Sequence, residues 1–195
     1  VTRPTLVLVP GLRGEVADHW QTRLAASRPD VRTVRPLGRT EPSLHARVSL
    51  LEQVVAQARG PVVLVAHSAG CLVVAHWAIW YRGSAVAGAV LATPPTLATE
   101  LPPEYPSIRQ LRTHGWLPIP RLPLPFPSIV AASENDPLAN PVRLRSLARA
   151  WGSRVHELGP VGHLNPASGF GEWPGALPLV DELLAEARQP ALASA

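Results

Sequence analysis

Residues 64–74 read LVAHSAGCLVV: an apolar run is broken by His67 and Ser68, passes Ala69 and Gly70, and gives way to a second apolar run. Burying a hydroxyl and an imidazole without partners costs about 1–3 kcal/mol each, so a core segment carrying both has to provide for them. The simplest local reading is a strand ending at Ala66, a tight turn over His67, Ser68, Ala69 and Gly70, and a helix from Cys71 to about Arg82. Strand, turn and helix in that order begin a parallel layered fold.

The pattern repeats outward from this stretch. Short apolar runs at 5–9, 31–35, 62–66, 86–92, 128–132 and 154–158 read as six strands. Helical spacing fills most of the intervals. A helix over 18–28 is expected with Asp18 as N-cap, and one over 43–59 carries Leu44, Val48, Leu51, Val55 and Ala58 on one stripe before Gly60-Pro61. Asn140-Pro141 supplies an N-cap and a proline at the first helical position for a helix to about Trp151. A last helix is expected over 177–188. Strands alternating with helices imply an α/β, doubly wound parallel sheet, and the unbroken valine and leucine of 62–66 suits a central strand buried on both faces. The expected domain is a single unit over 1–188, with a frayed tail at 189–195.

Composition narrows the function classes. The 195 residues are 46% hydrophobic, enough for one substantial core. All 18 basic residues are arginine, so the sequence pI near 10.5 partly reflects the lack of lysine. The net charge at pH 7 is only +4 and is spread along the chain, which speaks against a nucleic-acid partner. No run reaches membrane-span length, and the first apolar run is too short for a signal-peptide core. Cys71 is the one cysteine, and a chain that cannot form an internal disulfide fits the cytoplasm. No HExxH or paired Cys/His spacing appears, so neither a metal nor another cofactor is expected.

One segment departs from the alternation. Between residues 94 and 127 lie prolines 94, 95, 102, 103, 106, 118, 120, 123, 125 and 127, which exclude a long regular helix or a central strand. Its Tyr105, Ile108, Leu111, Trp116, Ile119 and Phe126 suit either an ordered flap over one end of the sheet or a passively packed excursion.

The turn at Ser68 fits a nucleophile elbow, in which the positions two before and two after the nucleophile must be small. Ala66 and Gly70 stand there, so the pattern is AxSxG where GxSxG is commoner. A serine hydroxyl needs a base to take its proton and an acid to orient that base. In α/β hydrolases the chain order is nucleophile, acid, base. Only two aspartates follow Ser68, Asp136 and Asp181; Asp136 lies in the loop after the strand 128–132, whereas Asp181 falls within the last helix. His163, in GHLN after the last strand, is the expected base. His114 sits in the proline-rich segment, and His76 lies within the helix after the turn, where a packed or interfacial imidazole is expected. Main-chain donors for an oxyanion are expected from Ala69 and, in the loop PGLRG after the first strand, from Leu12. Trp20, His67 and Trp173 are candidates for pocket lining, with core packing equally open for the two tryptophans. Cys71 is expected to be a small buried hydrophobe.

These pieces together resemble the small serine hydrolases of the retinoblastoma-binding-protein-nine type, a compact branch of the α/β-hydrolase superfamily. The matching segments are VPGLRG at 9–14, HWQ at 19–21, VAHSAG at 65–70, ASENDP at 132–137 and GHLNPASGFGEWP at 162–174. The resemblance implies a reduced hydrolase fold with six parallel strands in the order 2-1-3-4-5-6, helices on both faces, and Ser68, Asp136 and His163 as the triad. In the last segment Gly169 and Gly171 suit a tight bend, while Asn165 and Ser168 suit local backbone hydrogen bonds.

The expected activity is cofactor-free hydrolysis of a small carboxylic ester, ahead of a thioester or amide, through an acyl-enzyme. The rival expectation is a hydrolase-fold protein with weak turnover that serves as a protein-binding module, because fold does not fix function.

Overall fold

The computed structural model describes residues 3–13 and 16–188. The expected tail at 189–195 and Gly14 of the PGLRG loop lie outside the described residues. Six strands, β1 (Thr5–Val9), β2 (Val31–Thr33), β3 (Val62–His67), β4 (Val86–Ala92), β5 (Ser128–Ala132) and β6 (Arg154–Glu157), form one sheet in the order β2-β1-β3-β4-β5-β6. Every pairing is parallel. The helices are α1 (Trp20–Ser27), α2 (Leu44–Gln57), α3 (Ala69–Ala78), α4 (Ile108–Thr113), α5 (Pro141–Trp151) and α6 (Ala176–Arg188).

Alternation along the strands divides the core in two. Val7, Val9, Leu64, Ala66, Leu91 and Val130 face a cluster built with α2, α3 and α5. Leu6, Leu8, Val63, Val65, Val90 and Ile129 face a second cluster with Trp20 and α6. Residues 62–66 are wholly buried, as an apolar strand covered on both faces must be.

Several boundaries differ from the sequence reading. Helix α1 is capped by His19, whose Nδ1 accepts from the Gln21 N–H at 3.2 Å, while Asp18 pairs with Arg23 instead. Strand β2 stops at Thr33, shortly before Pro36, which has no N–H for a ladder. Strand β3 runs on through His67 and α3 begins directly at Ala69, so the turn is one residue, Ser68. Helix α3 ends at Ala78 rather than near Arg82.

The proline-rich segment contains the short helix α4, where prolines are absent between 106 and 118. Ser107 and Gln110 close it with a reciprocal capping box. Leu111, Trp116 and Phe126 are buried in the α2/α3/α5 cluster, and Tyr105, Ile108 and Ile119 pack on its edge. No helix among the described residues is long and apolar enough to cross a membrane.

Gly70 fixes how closely α3 can follow β3. A Cβ there would sit 2.2 Å from the Val9 carbonyl oxygen and 2.8 Å from that of Pro10, both backbone atoms that cannot swing aside. Gly70→Ala is therefore expected to destabilise the fold by about 1–3 kcal/mol. Denaturant unfolding reads this out, and an unchanged midpoint would contradict the close approach.

Candidate active site

Ser68 occupies a backbone conformation that L-residues rarely adopt, φ 55° and ψ −129°. Its N–H donates to the Ala92 carbonyl at 2.9 Å, which ties the turn to the end of β4. The side chain projects at the carboxyl edge of the sheet, where open α/β sheets place their sites. There the Ser68 hydroxyl lies 2.8 Å from His163 Nε2. On the other side of the same ring, Nδ1 lies 3.0 and 2.9 Å from the two carboxylate oxygens of Asp136. Asp136 Oδ1 also accepts the Leu138 N–H at 2.9 Å, which fixes the carboxylate's rotation. The three groups suggested by the sequence thus meet in one line, and all three are buried.

Each side chain is held by its own loop. After β6, Gly162 takes φ 59° and donates its N–H to Asn135 Oδ1 at 2.7 Å. A Cβ on Gly162 would fall 2.6 Å from the Ser168 hydroxyl, and it is this hydroxyl that accepts the His163 N–H at 3.0 Å. Asn165 caps the 3-10 turn Pro166–Ser168, and Gly169 closes it in the left-handed region. Gly171 does not share that conformation; a Cβ there would meet only an ordinary contact with the Asp18 carbonyl at 3.4 Å.

The two residues expected to supply main-chain donors, Leu12 and Ala69, lie beside Ser68. Gly11 approaches so closely that a Cβ on it would lie 3.1 Å from the Ser68 Cβ. Leu12, Ser68 and Ala69 line one small hollow together. Ala69 opens α3, whose N-terminal dipole favours negative charge at that point. The Gly11–Leu12 loop is braced by Arg47, a buried residue of α2 that donates to the carbonyls of Gly11, Gly38 and Glu41.

His67 points away from the hydroxyl next to it. Its Nε2–H donates to the His163 carbonyl at 2.9 Å, since a carbonyl can only accept. It does line the main cavity of about 500 Å³, together with Arg13, His19, Gln21, Tyr105 and His163. The two tryptophans, weighed equally as lining or core, form a packing pair. Trp20 and Trp173 meet edge to face at 4.9 Å, and Trp20 is 2% exposed, with its indole N–H donating to the Leu164 carbonyl. Trp20 acts by anchoring the loop that carries His163.

Other assignments hold as read. Asp181 is exposed on α6. The His76 Nε2–H donates to the Trp116 carbonyl at 3.2 Å. Cys71 is fully buried, with its thiol pushed well above its ordinary range by that burial.

Gln21 and His19 escaped the sequence reading. The buried Gln21 amide donates to the carbonyls of Val9 and Val65 at 3.3 and 2.9 Å, clamping the ends of β1 and β3. His19 packs against His67 with the rings tilted and centroids 4.6 Å apart, and the His67 ring lies 5.0 Å from that of His163. Their signal was the segment HWQ, whose reading as a matching segment gave a role only to its tryptophan.

The whole-chain comparison agrees with this architecture. Residues 6–182 match the family model described as serine hydrolase. The chain belongs to the serine hydrolase family. Among solved structures, this member of the family is similar to a protein described as a YdeN-like hydrolase from Pectobacterium atrosepticum, at 29% identity and TM-score 0.77, covering 95% of this chain and 92% of that one. It is also similar to the ydeN gene product of B. subtilis, at 19% identity and TM-score 0.68, covering 94% and 100%. A carboxylesterase of Bacillus cereus shares the fold at 18% identity and TM-score 0.56, covering 95% and 89%. No curated protein sequence matches the chain. These findings support a hydrolase on an α/β-hydrolase fold.

The buried histidine cluster makes stability depend on pH. Burial, helped by the nearby His163, lowers His19 to about 4, and burial together with His163 and His19 holds His67 well below 6.5. Below pH 6.5 the unfolded chain binds protons that the folded chain refuses. Stability is therefore complete above that pH and is lost as pH falls from 6.5 toward 4. His19→Asn keeps a capping acceptor and removes one titrating group, so the slope of unfolding free energy against pH between 4 and 6.5 should fall by up to about one proton. An unchanged slope would contradict the burial of His19.

Proposed function

We propose that this serine hydrolase cleaves carboxylic esters through an acyl-enzyme, with Ser68 as nucleophile, His163 as base and Asp136 as its orienting acid. The observation that carries the reading is the unbroken hydrogen-bonded line from the Ser68 hydroxyl through His163 to Asp136.

His163 Nε2 takes the Ser68 proton as Oγ forms a bond to the ester carbonyl carbon. Asp136 holds Nδ1 protonated, so that Nε2 is the free base, and stabilises the imidazolium that results. The carbonyl oxygen gathers negative charge and turns toward the N–H groups of Leu12 and Ala69, donors of a kind that contribute about 10²–10³-fold each in rate. The imidazolium gives its proton to the leaving alcohol oxygen as the C–O bond breaks. Water then adds to the acyl carbon, again losing a proton to His163, and Ser68 leaves with that proton restored.

Within the family, the segments ASENDP and GHLNPASGFGEWP favour the retinoblastoma-binding-protein-nine branch. The likeness of fold to a carboxylesterase supports ester over amide substrates. The lone, buried Cys71 is compatible with a cytoplasmic enzyme.

Ser68→Ala removes the attacking atom with little change in volume, so it should fold normally, hydrolyse no short acyl ester above background and take up no fluorophosphonate. Asp136→Asn should fold but lose about 10³-fold or more in kcat, because the imidazole is no longer held in the right tautomer. Wild-type turnover by Ser68→Ala would overturn the assignment. A wild-type protein that folds but turns over no ester would favour the binding-module reading.

A further inference from the structure

Two hollows open beside Ser68, and they differ in which part of the hydrogen-bonded line they reach. The cavity of about 500 Å³ has both Ser68 and His163 in its wall. The other hollow, of about 10 Å³, is lined by Ser68, Ala69 and Leu12, and His163 is not among its lining residues. When an ester is cleaved, the leaving oxygen must receive its proton from the base, so the alcohol lies on the base's side of the serine. The carbonyl oxygen turns to the N–H groups of Leu12 and Ala69 at the mouth of the small hollow, and beyond them that hollow is walled by Leu72, Leu97, Leu111 and Leu138, apolar side chains suited to the acyl substituent.

We propose that the substrate is an ester of a short, acetyl-sized acyl group with a much larger alcohol. This inference rests on the roles given to Ser68 and His163 under the proposed function.

The small hollow is at the lower limit of what holds one water molecule, about 10–15 Å³, which suits a methyl group and little more. Its back wall is Leu72, Leu111 and Trp116, each 1% exposed or less. The Trp116 indole N–H is tied to the Pro42 carbonyl at 2.6 Å, so the ring cannot withdraw. Longer acyl chains therefore press on a close-packed interior, where each extra methylene is felt. Pro95, Leu97, Leu101 and Tyr105 of the proline-rich segment complete the wall. That segment is thus the boundary of the acyl side, a role beyond covering the sheet. The large cavity has no comparable limit for the alcohol.

The test is a series of 4-nitrophenyl esters from acetate to octanoate, with each kcat/KM divided by that ester's rate constant with hydroxide. The normalised value should fall by about tenfold or more from acetate to butyrate, and further to octanoate. In Leu101→Ala, which shortens a half-buried wall residue, the acetate-to-butyrate ratio should shrink by at least about threefold. On the alcohol side, 2-naphthyl acetate should match or exceed phenyl acetate. Butyrate or octanoate equal to or better than acetate in the wild type overturns the inference, as does loss of activity on the naphthyl ester. The wild-type series decides even if the variant does not fold. Fluorophosphonate labelling separates the two claims: a labelled enzyme that prefers long chains defeats the acyl-size inference alone, whereas an unlabelled protein without turnover defeats the serine mechanism and this inference with it.

Discussion

The structure depends on a one-residue reversal at Ser68, made where α3 runs hard against the end of β1. The turn places Ser68 at φ 55°, a conformation of the kind that costs about 1–3 kcal/mol and survives only when its surroundings leave no alternative. Here they leave none. Strand β3 is buried on both faces, Ser68 N–H is bonded to Ala92, and Gly70 meets the Val9 and Pro10 carbonyls at a distance no side chain allows. The strain is offset by the core on either side, and its product is a hydroxyl standing clear of the sheet beside the first N–H of a helix.

Around that fixed point, long-range hydrogen bonds from side chains to backbone hold the other loops. Gln21 ties the ends of β1 and β3 together, Arg47 braces Gly11, and Trp20 and His67 hold the carbonyls of Leu164 and His163. Such bonds contribute only about 1 kcal/mol each in net stability, but removing one partner leaves a buried polar group unsatisfied at greater cost. Their value is positional. They set the loop after β1 and the loop after β6 against Ser68, so that Leu12, the hydroxyl and the His163 imidazole line one cavity.

What could be read from the sequence follows from what is local. Strands β4 and β5 were legible to the residue, because VAGAVLA and SIVAA are short runs of apolar and small residues set between turn-forming stretches. Asn140-Pro141 announced α5 for the same reason. Ser68, Asp136 and His163 were legible through their order along the chain and their places after successive strands, which the parallel sheet converts into proximity. The contributions of Gln21, His19 and Arg47 were not, since each acts on backbone brought near only by folding. Trp20 and Trp173 were weighed as pocket or core, and the direction of each ring, one on the first turn of α1 and the other in the loop before α6, is decided by its tertiary neighbours. Helix α4 was hidden in a run of prolines, although its capping box was written in Ser107 and Gln110.

The most direct measurement is a crystal structure of the enzyme after reaction with a small fluorophosphonate. The account predicts phosphorus bonded to Ser68 Oγ, with the phosphoryl oxygen within about 2.7–3.1 Å of the backbone nitrogens of both Leu12 and Ala69. An adduct on another residue, or a phosphoryl oxygen turned to solvent with those two N–H groups unengaged, would contradict it.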